Sequence, residues 1–233
     1  MRVLVIIPAY NEEASILAVI NKLNIDYPQA DYIVINDCSK DATVSVLRAN
    51  NAKYVNLPLN LGIGGGVQTG YKYALQNDYD IAVQIDGDGQ HDTAYLGMVV
   101  EPIEKRRADI VIGSRFITKE GFQSSGIRRL GINFLSMLIR ICCRTKVLDV
   151  TSGFRAVNRE YIEKYANEYP VDYPEPEAIV KASLDGAKIV EVPVIMKERE
   201  SGTSSISAWK SVYYMIKVSL SIILCRLSNK KRG

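Results

Sequence analysis

What most restricts the folds open to this chain is an alternation running through its first half. Short, continuously apolar runs (Val3 to Ile7, Tyr32 to Ile35, Tyr54 to Leu57, Ile81 to Ile85, Asp109 to Ile112) alternate with stretches whose apolar residues recur at helical spacing (Glu12 to Leu23, Ala42 to Ala49, Val67 to Leu75, Tyr95 to Arg106). A strand apolar at every position suits a parallel sheet covered on both faces, and the amphipathic stretches supply its crossover helices. The expectation is an α/β fold, Rossmann-like, with a mostly parallel sheet flanked by helices. Such sheets bind ligands beyond the carboxyl ends of their strands. The loops that follow strands therefore carry the chemistry.

The most telling loop follows the fourth run: Asp86-Gly87-Asp88-Gly89-Gln90. Two carboxylates and an amide oxygen at a strand end make an acidic, oxygen-rich turn, read as solvent-reachable. That donor set suits Mg²⁺ or Mn²⁺, which keep open positions for phosphate oxygens. A plain Asp-Gly turn is the alternative. After the first run comes Pro8-Ala9-Tyr10-Asn11-Glu12-Glu13, where Asn11 can cap the next helix while Pro8 and Tyr10 can wall a flat base. After the second, Asp41 is a candidate cap and Asp37 is left to accept a nucleobase N–H. After the third, Asn60 to Gly70 holds a glycine run that lets backbone N–H groups approach a phosphate or ribose, or is a flexible loop. Its spacing fits neither a dinucleotide fingerprint nor a P-loop, because it neither follows the first strand nor ends in Gly-Lys-Ser/Thr.

These segments, with Gly113-Ser114-Arg115-Phe116 and Asp149-Val150-Thr151-Ser152-Gly153-Phe154-Arg155, occur in an order that resembles family 2 glycosyltransferases of GT-A fold, in particular the group similar to dolichyl- and undecaprenyl-phosphate glycosyltransferases. The resemblance covers about residues 1 to 205. It implies that Pro8, Tyr10, Glu12 and Asp37 hold the base and ribose of a UDP- or GDP-sugar, joined by Asn60, Gly62, Gly65 and Gly87, and that Asp86, Asp88 and Gln90 hold the metal and diphosphate. Asn36, Ile63 and Gly66 depart from the family's usual residues, which leaves the nucleotide open.

The second half points to the acceptor. From Ile127 onward, Ile127, Leu130, Phe134, Met137, Leu138 and Ile141 form an apolar stripe, with Arg129, Asn133, Ser136 and Arg140 on another side. A second amphipathic helix follows a strand expected at Pro193 to Met196; its apolar stretch from Val212 to Cys225 is too short to span a bilayer, so it lies on the membrane or packs on a small integral membrane partner. A core-facing helix is the alternative for each. Arg128, Arg129, Ser152, Arg155 and Arg199 supply donors suited to an anionic acceptor. A phosphate monoester is already an anion near neutral pH and needs no strong base. A sugar hydroxyl would need one, and Glu175 or Glu177 are the candidates. His91 reads as a neighbour of the acidic turn without a catalytic role.

Charge and cysteine usage set the compartment. The net charge is +3, yet the segment from Lys197 onward carries +6 and the remainder −3, so the basic end suits an anionic lipid surface rather than nucleic acid. Cys38, Cys142, Cys143 and Cys225 show neither metal-ligand spacing nor a disulfide framework, and Pro8 and Asn11 interrupt the first apolar run before signal-peptide length. The sequence thus leads us to expect a glycosyltransferase unit over 1–205 and an amphipathic, membrane-interface helix with basic tail over 206–233. It would be metal-dependent and inverting, and would transfer one hexose or N-acetylhexosamine to a polyprenyl phosphate at the inner membrane face. A saccharide hydroxyl acceptor and a non-catalytic sugar-nucleotide-binding protein are the alternatives.

Overall fold

The computed structural model describes residues 1–123, 126–172, 174–197 and 208–230. Its elements are β1 (Val3–Ala9), α1 (Ile16–Asp26), β2 (Asp31–Asn36), α2 (Thr43–Ala49), β3 (Tyr54–Asn56), α3 (Gly62–Gln76), β4 (Ile81–Gln84), α4 (Leu96–Glu104), β5 (Ile110–Ser114), α5 (Gly126–Cys143), β6 (Arg155–Asn158), α6 (Arg159–Asn167), α7 (Pro174–Leu184), β7 (Ile189–Pro193) and α8 (Ala208–Lys230). The strands form one sheet ordered β3-β2-β1-β4-β6-β5-β7. Only β6 runs antiparallel to its neighbours β4 and β5. This is the mostly parallel α/β architecture expected, with apolar cores on both faces.

The order reverses between β1 and β4, the point where doubly wound sheets open a crevice. The β1–β4 register ends at Ile6 and Gln84, and Ile85 N still bonds to Ile6 O. Pro8, two residues on from Ile6, faces the same neighbour where the ladder has ended. Its missing N–H therefore costs nothing there.

Several expectations change. The glycine run does open a helix rather than forming a flexible loop, but the helix begins at Gly62 and not at Val67, so the run is the first turn and a half of α3. Close packing explains it: a Cβ on Gly64 would lie 2.3 Å from Pro170 O and 2.4 Å from Val171 O. The last strand is Ile189–Pro193, set by its register with β5, and Met196 makes only isolated bridges to His91 and Gly121. β6, α6 and α7 were not anticipated.

The inner face of α5 is Ile132, Leu135 and Ile139, whereas much of the apolar stripe seen in the sequence points outward: Leu130, Phe134, Met137 and Ile141 are 46 to 70% exposed. α8 behaves alike. Val218 and Ile222 join the core, while Ile216, Leu220, Ile223, Leu224 and Leu227 are exposed. Among the described residues no helix is long and apolar enough to cross a membrane.

Candidate active site

The acidic turn lies at the reversal point, beyond the end of β4. Asp86 N donates to His91 Nδ1 (2.9 Å), so the neutral ring carries its proton on Nε2, 3.7 Å from Asp86 Oδ2. The imidazole stacks on Phe154. His91 thus shapes the turn rather than merely adjoining it. Asp88 is only 3% exposed and accepts from Gln90 N (3.0 Å), which corrects the expectation of a solvent-reachable carboxylate. Gln90 Nε2 donates to Lys197 O (3.3 Å) and Lys197 N to Gln90 O (2.9 Å), fastening the turn to the segment that leads to Arg199. Arg199 itself, with Ser201 to Ser205, lies outside the described residues.

The donor set is two carboxylates and an amide, all hard oxygen ligands. Among the described residues no group of three or more His, Cys, Asp or Glu is arranged to hold a metal. Two carboxylates and an amide oxygen suit a hard divalent cation whose remaining positions are taken by ligand oxygens, as a diphosphate supplies.

The loops after β1 and β2 are tied to each other. Asn11 N donates to Ser39 Oγ (2.9 Å), Lys40 N to Asn11 Oδ1 (2.8 Å) and Glu12 N to Thr43 Oγ1 (2.9 Å). Asn11, at φ +57°, bridges loops and does not cap α1, whose first residue follows Ser15. Asp41 Oδ1 accepts from Thr43 N (3.0 Å), but the residue that precedes α2 is Ala42, so Asp41 stands one position outside the cap expected of it. Asp37 is buried; its Oδ1 accepts from Leu61 N (2.7 Å) and its carbonyl from Asn60 Nδ2 (3.0 Å), which holds the entry to α3 against β2. Ser15 Oγ lies 2.8 Å from both Glu12 Oε2 and Gly87 O. Pro8, Tyr10, Glu12, Asp37, Asn60, Gly62 and Gly87 are thereby gathered at the carboxyl ends of β1, β2 and β4, with Gly65 within the first turn of α3. Tyr10 is 43% exposed and free to stack.

The expected acceptor residues divide. Arg128 is exposed, and the guanidinium of Arg129 sits 3.4 Å over the Phe116 ring. Ser152 and Arg155 are structural instead. Ser152 Oγ donates to Gly113 O (2.6 Å), and buried Arg155 gives Nε to Ser152 O (2.6 Å), Nη1 to Glu175 O (2.7 Å) and Nη2 to Val150 O (3.1 Å). Its fork pins the loop before β6 to the start of α7, because it springs from a central strand and is enclosed. The motifs around Arg115 and Asp149 form another clamp that sequence reasoning missed: Arg115 Nε and Nη2 each lie 2.7 Å from Asp149, both side chains buried.

Glu175, half-buried at the start of α7, faces the same region. Burial pushes its carboxyl above the usual range, nearby Arg155 offsets part of the rise, and Asp86 adds to it. The sequence offered Glu175 and Glu177 equally; the charge of Asp86 is felt at Glu175.

A sequence model of glycosyl transferase family 2 matches residues 4–166. An undecaprenyl-phosphate mannosyltransferase of Micrococcus luteus is 31% identical, the match covering 89% of this chain and 88% of the relative. A polyprenol monophosphomannose synthase of Mycolicibacterium smegmatis is 28% identical over 94% of this chain and 86% of its own. Among solved structures, glucosyl-3-phosphoglycerate synthase from Mycobacterium tuberculosis superposes with a TM-score of 0.70 at 21% identity, covering 98% of this chain and 79% of that one. That likeness bears on the fold alone, which is GT-A. The family match, spanning the sheet reversal and the acidic turn, shows that the chain belongs to glycosyl transferase family 2.

Proposed function

We propose that this protein transfers one sugar from a nucleoside-diphosphate sugar to a polyprenyl phosphate, at the inner face of the cell membrane and with inversion. Pro8, Tyr10, Glu12, Asp37, Asn60, Gly62, Gly65 and Gly87 would receive the nucleotide. Asp86 and Asp88, with Gln90, would hold Mg²⁺ or Mn²⁺, which neutralises charge growing on the leaving diphosphate. An acceptor phosphate oxygen attacks the anomeric carbon as its bond to the diphosphate breaks, and the bonding pair leaves with the nucleotide. The acceptor carries no proton that must be removed. Arg128, Arg129 and Arg199 are the cations suited to hold it.

The observation that carries the lipid reading is the exposed face of α5 and α8. Gly131 packs against Met215, and further along Cys143 lies beside Cys225, so the two helices run parallel. On α5 the bare stripe is one residue before the seam; on α8 it is one residue after. For parallel right-handed helices those two offsets turn toward the same side. Leu130, Phe134, Met137 and Ile141 therefore join Ile216, Leu220, Ile223 and Leu227 in one apolar face, the kind of contiguous bare patch that serves as an interaction site. Every charge on the two helices is positive: Arg128, Arg129 and Arg140 on one, Lys210, Lys217, Arg226 and Lys230 on the other. Such a face suits an anionic bilayer and opposes self-association.

Residues 1–205 would form the catalytic unit and 206–233 its membrane-facing segment. They share one core through Val218 and Ile222, so truncation would disturb folding, and point substitutions are the better probe. A small integral membrane partner is the other occupant of the face. A second reading, transfer to a saccharide hydroxyl, draws on the raised carboxyl of Glu175 as base. Glu175→Gln separates the two: transfer to polyprenyl phosphate survives it, transfer to a hydroxyl does not.

A further inference from the structure

Gln84 is the last residue of β4, in the middle of the sheet, and is completely buried. Neither Nε2 nor Oε1 has a hydrogen-bond partner among the described residues. A buried amide left without partners destabilises a fold, and large proteins tolerate few of them without a reason. The neighbourhood supplies one. A Cβ on Gly153 would lie 3.0 and 3.3 Å from the two carboxylate oxygens of Asp86 and 3.3 Å from Gln84 Nε2. The absent side chain of Gly153 thus leaves a gap bordered by the first carboxylate of the acidic turn and by the unpaired amide. Across the gap, Gln84 pairs in register with Arg155, whose guanidinium donates to three carbonyls and makes no hydrogen bond to the amide. His91 Nε2 stands near the other oxygen of Asp86, at 3.7 Å.

We propose that Gln84 is a positioning residue for the metal–nucleotide complex. When the cation and diphosphate are bound, Asp86 turns one oxygen outward as a ligand and the other into the Gly153 gap, where Gln84 Nε2–H donates to it. The amide stays unpaired in the free protein because its partner is supplied by the bound arrangement. Gly153 is required because any side chain there would occupy the space through which the two groups meet. This rests on the metal and nucleotide reading above. Groups that orient a metal ligand from behind typically govern metal affinity by about 10- to 100-fold.

The test is Gln84→Met, which keeps the length and shape of the side chain and removes both polar atoms. Melting of the ligand-free protein and titration calorimetry of Mn²⁺ with UDP, and separately with GDP, are measured on wild type and variant. The expected result is opposite signs: the free variant melts at or above the wild-type temperature, while its Mn²⁺–nucleotide affinity falls at least tenfold. A Gln84→Met variant that binds Mn²⁺–nucleotide as the wild type does, or one that melts well below it, overturns the positioning role. Wild-type protein that binds neither nucleotide with Mn²⁺ overturns the underlying metal reading instead.

Discussion

Replacing Phe134 and Met137 together by serine removes the middle of the exposed α5 stripe. Phe134 is 46% and Met137 54% exposed, so about half of each side chain remains to be withdrawn from water at a membrane. Full burial of such a side chain contributes about 1.5–3 kcal/mol, so the half still available contributes about 1 kcal/mol each and about 2 kcal/mol together. At about 1.4 kcal/mol per factor of ten, binding to anionic vesicles should fall roughly 30-fold. By the same measure the halves already buried contribute about 2 kcal/mol to the fold, so the variant should be less stable yet still folded, with Ile132, Leu135 and Ile139 anchoring the helix. Cosedimentation with phosphatidylglycerol-containing vesicles, with melting as the control, measures both. Unchanged vesicle binding by a normally folded double variant would refute the two-helix membrane face.

Asp149→Ala should destabilise by about 3–5 kcal/mol, because Arg115 would be left buried without its bidentate partner, and chemical denaturation reads this directly. Gly64→Ala should lower the melting temperature even though alanine favours a helix by about 1 kcal/mol, since its Cβ would meet backbone carbonyls at 2.3 and 2.4 Å that cannot yield. Glu175 has a raised carboxyl in the folded protein, so the stability linked to it is fully present below its ordinary value of 4.5 and is lost as pH rises through the folded value. Melting curves across pH should therefore show Glu175→Gln gaining on the wild type above that folded value and the gap closing in acid; a gap independent of pH would sink this assignment.

The sheet was legible because strands covered on both faces are apolar at every position, as β1 shows with seven buried residues in a row. β6 was not, since Arg155-Ala156-Val157-Asn158 is short and begins and ends in polar residues that only tertiary partners explain. Helical spacing found α5 but left open whether its apolar stripe faces the core, because this helix is apolar on two sides and periodicity alone cannot say which one is covered. The acidic turn was legible from its residue types. The committed fork of Arg155 was not, since a motif arginine reads the same whether it meets a phosphate or three carbonyls. Gln84 did leave a signal, a lone amide inside Ile81-Ala-Val-Gln-Ile, that could have been asked what it pairs with.

The most direct test of the account is transfer itself. Full-length protein with Mn²⁺ is incubated with labelled UDP- and GDP-sugars and undecaprenyl phosphate, and label is counted in the organic phase, beside Asp88→Asn. The account predicts lipid-linked label from one donor, dependent on Mn²⁺ and absent in a folded Asp88→Asn variant. No lipid label from any donor, with label instead on an added saccharide, would contradict it.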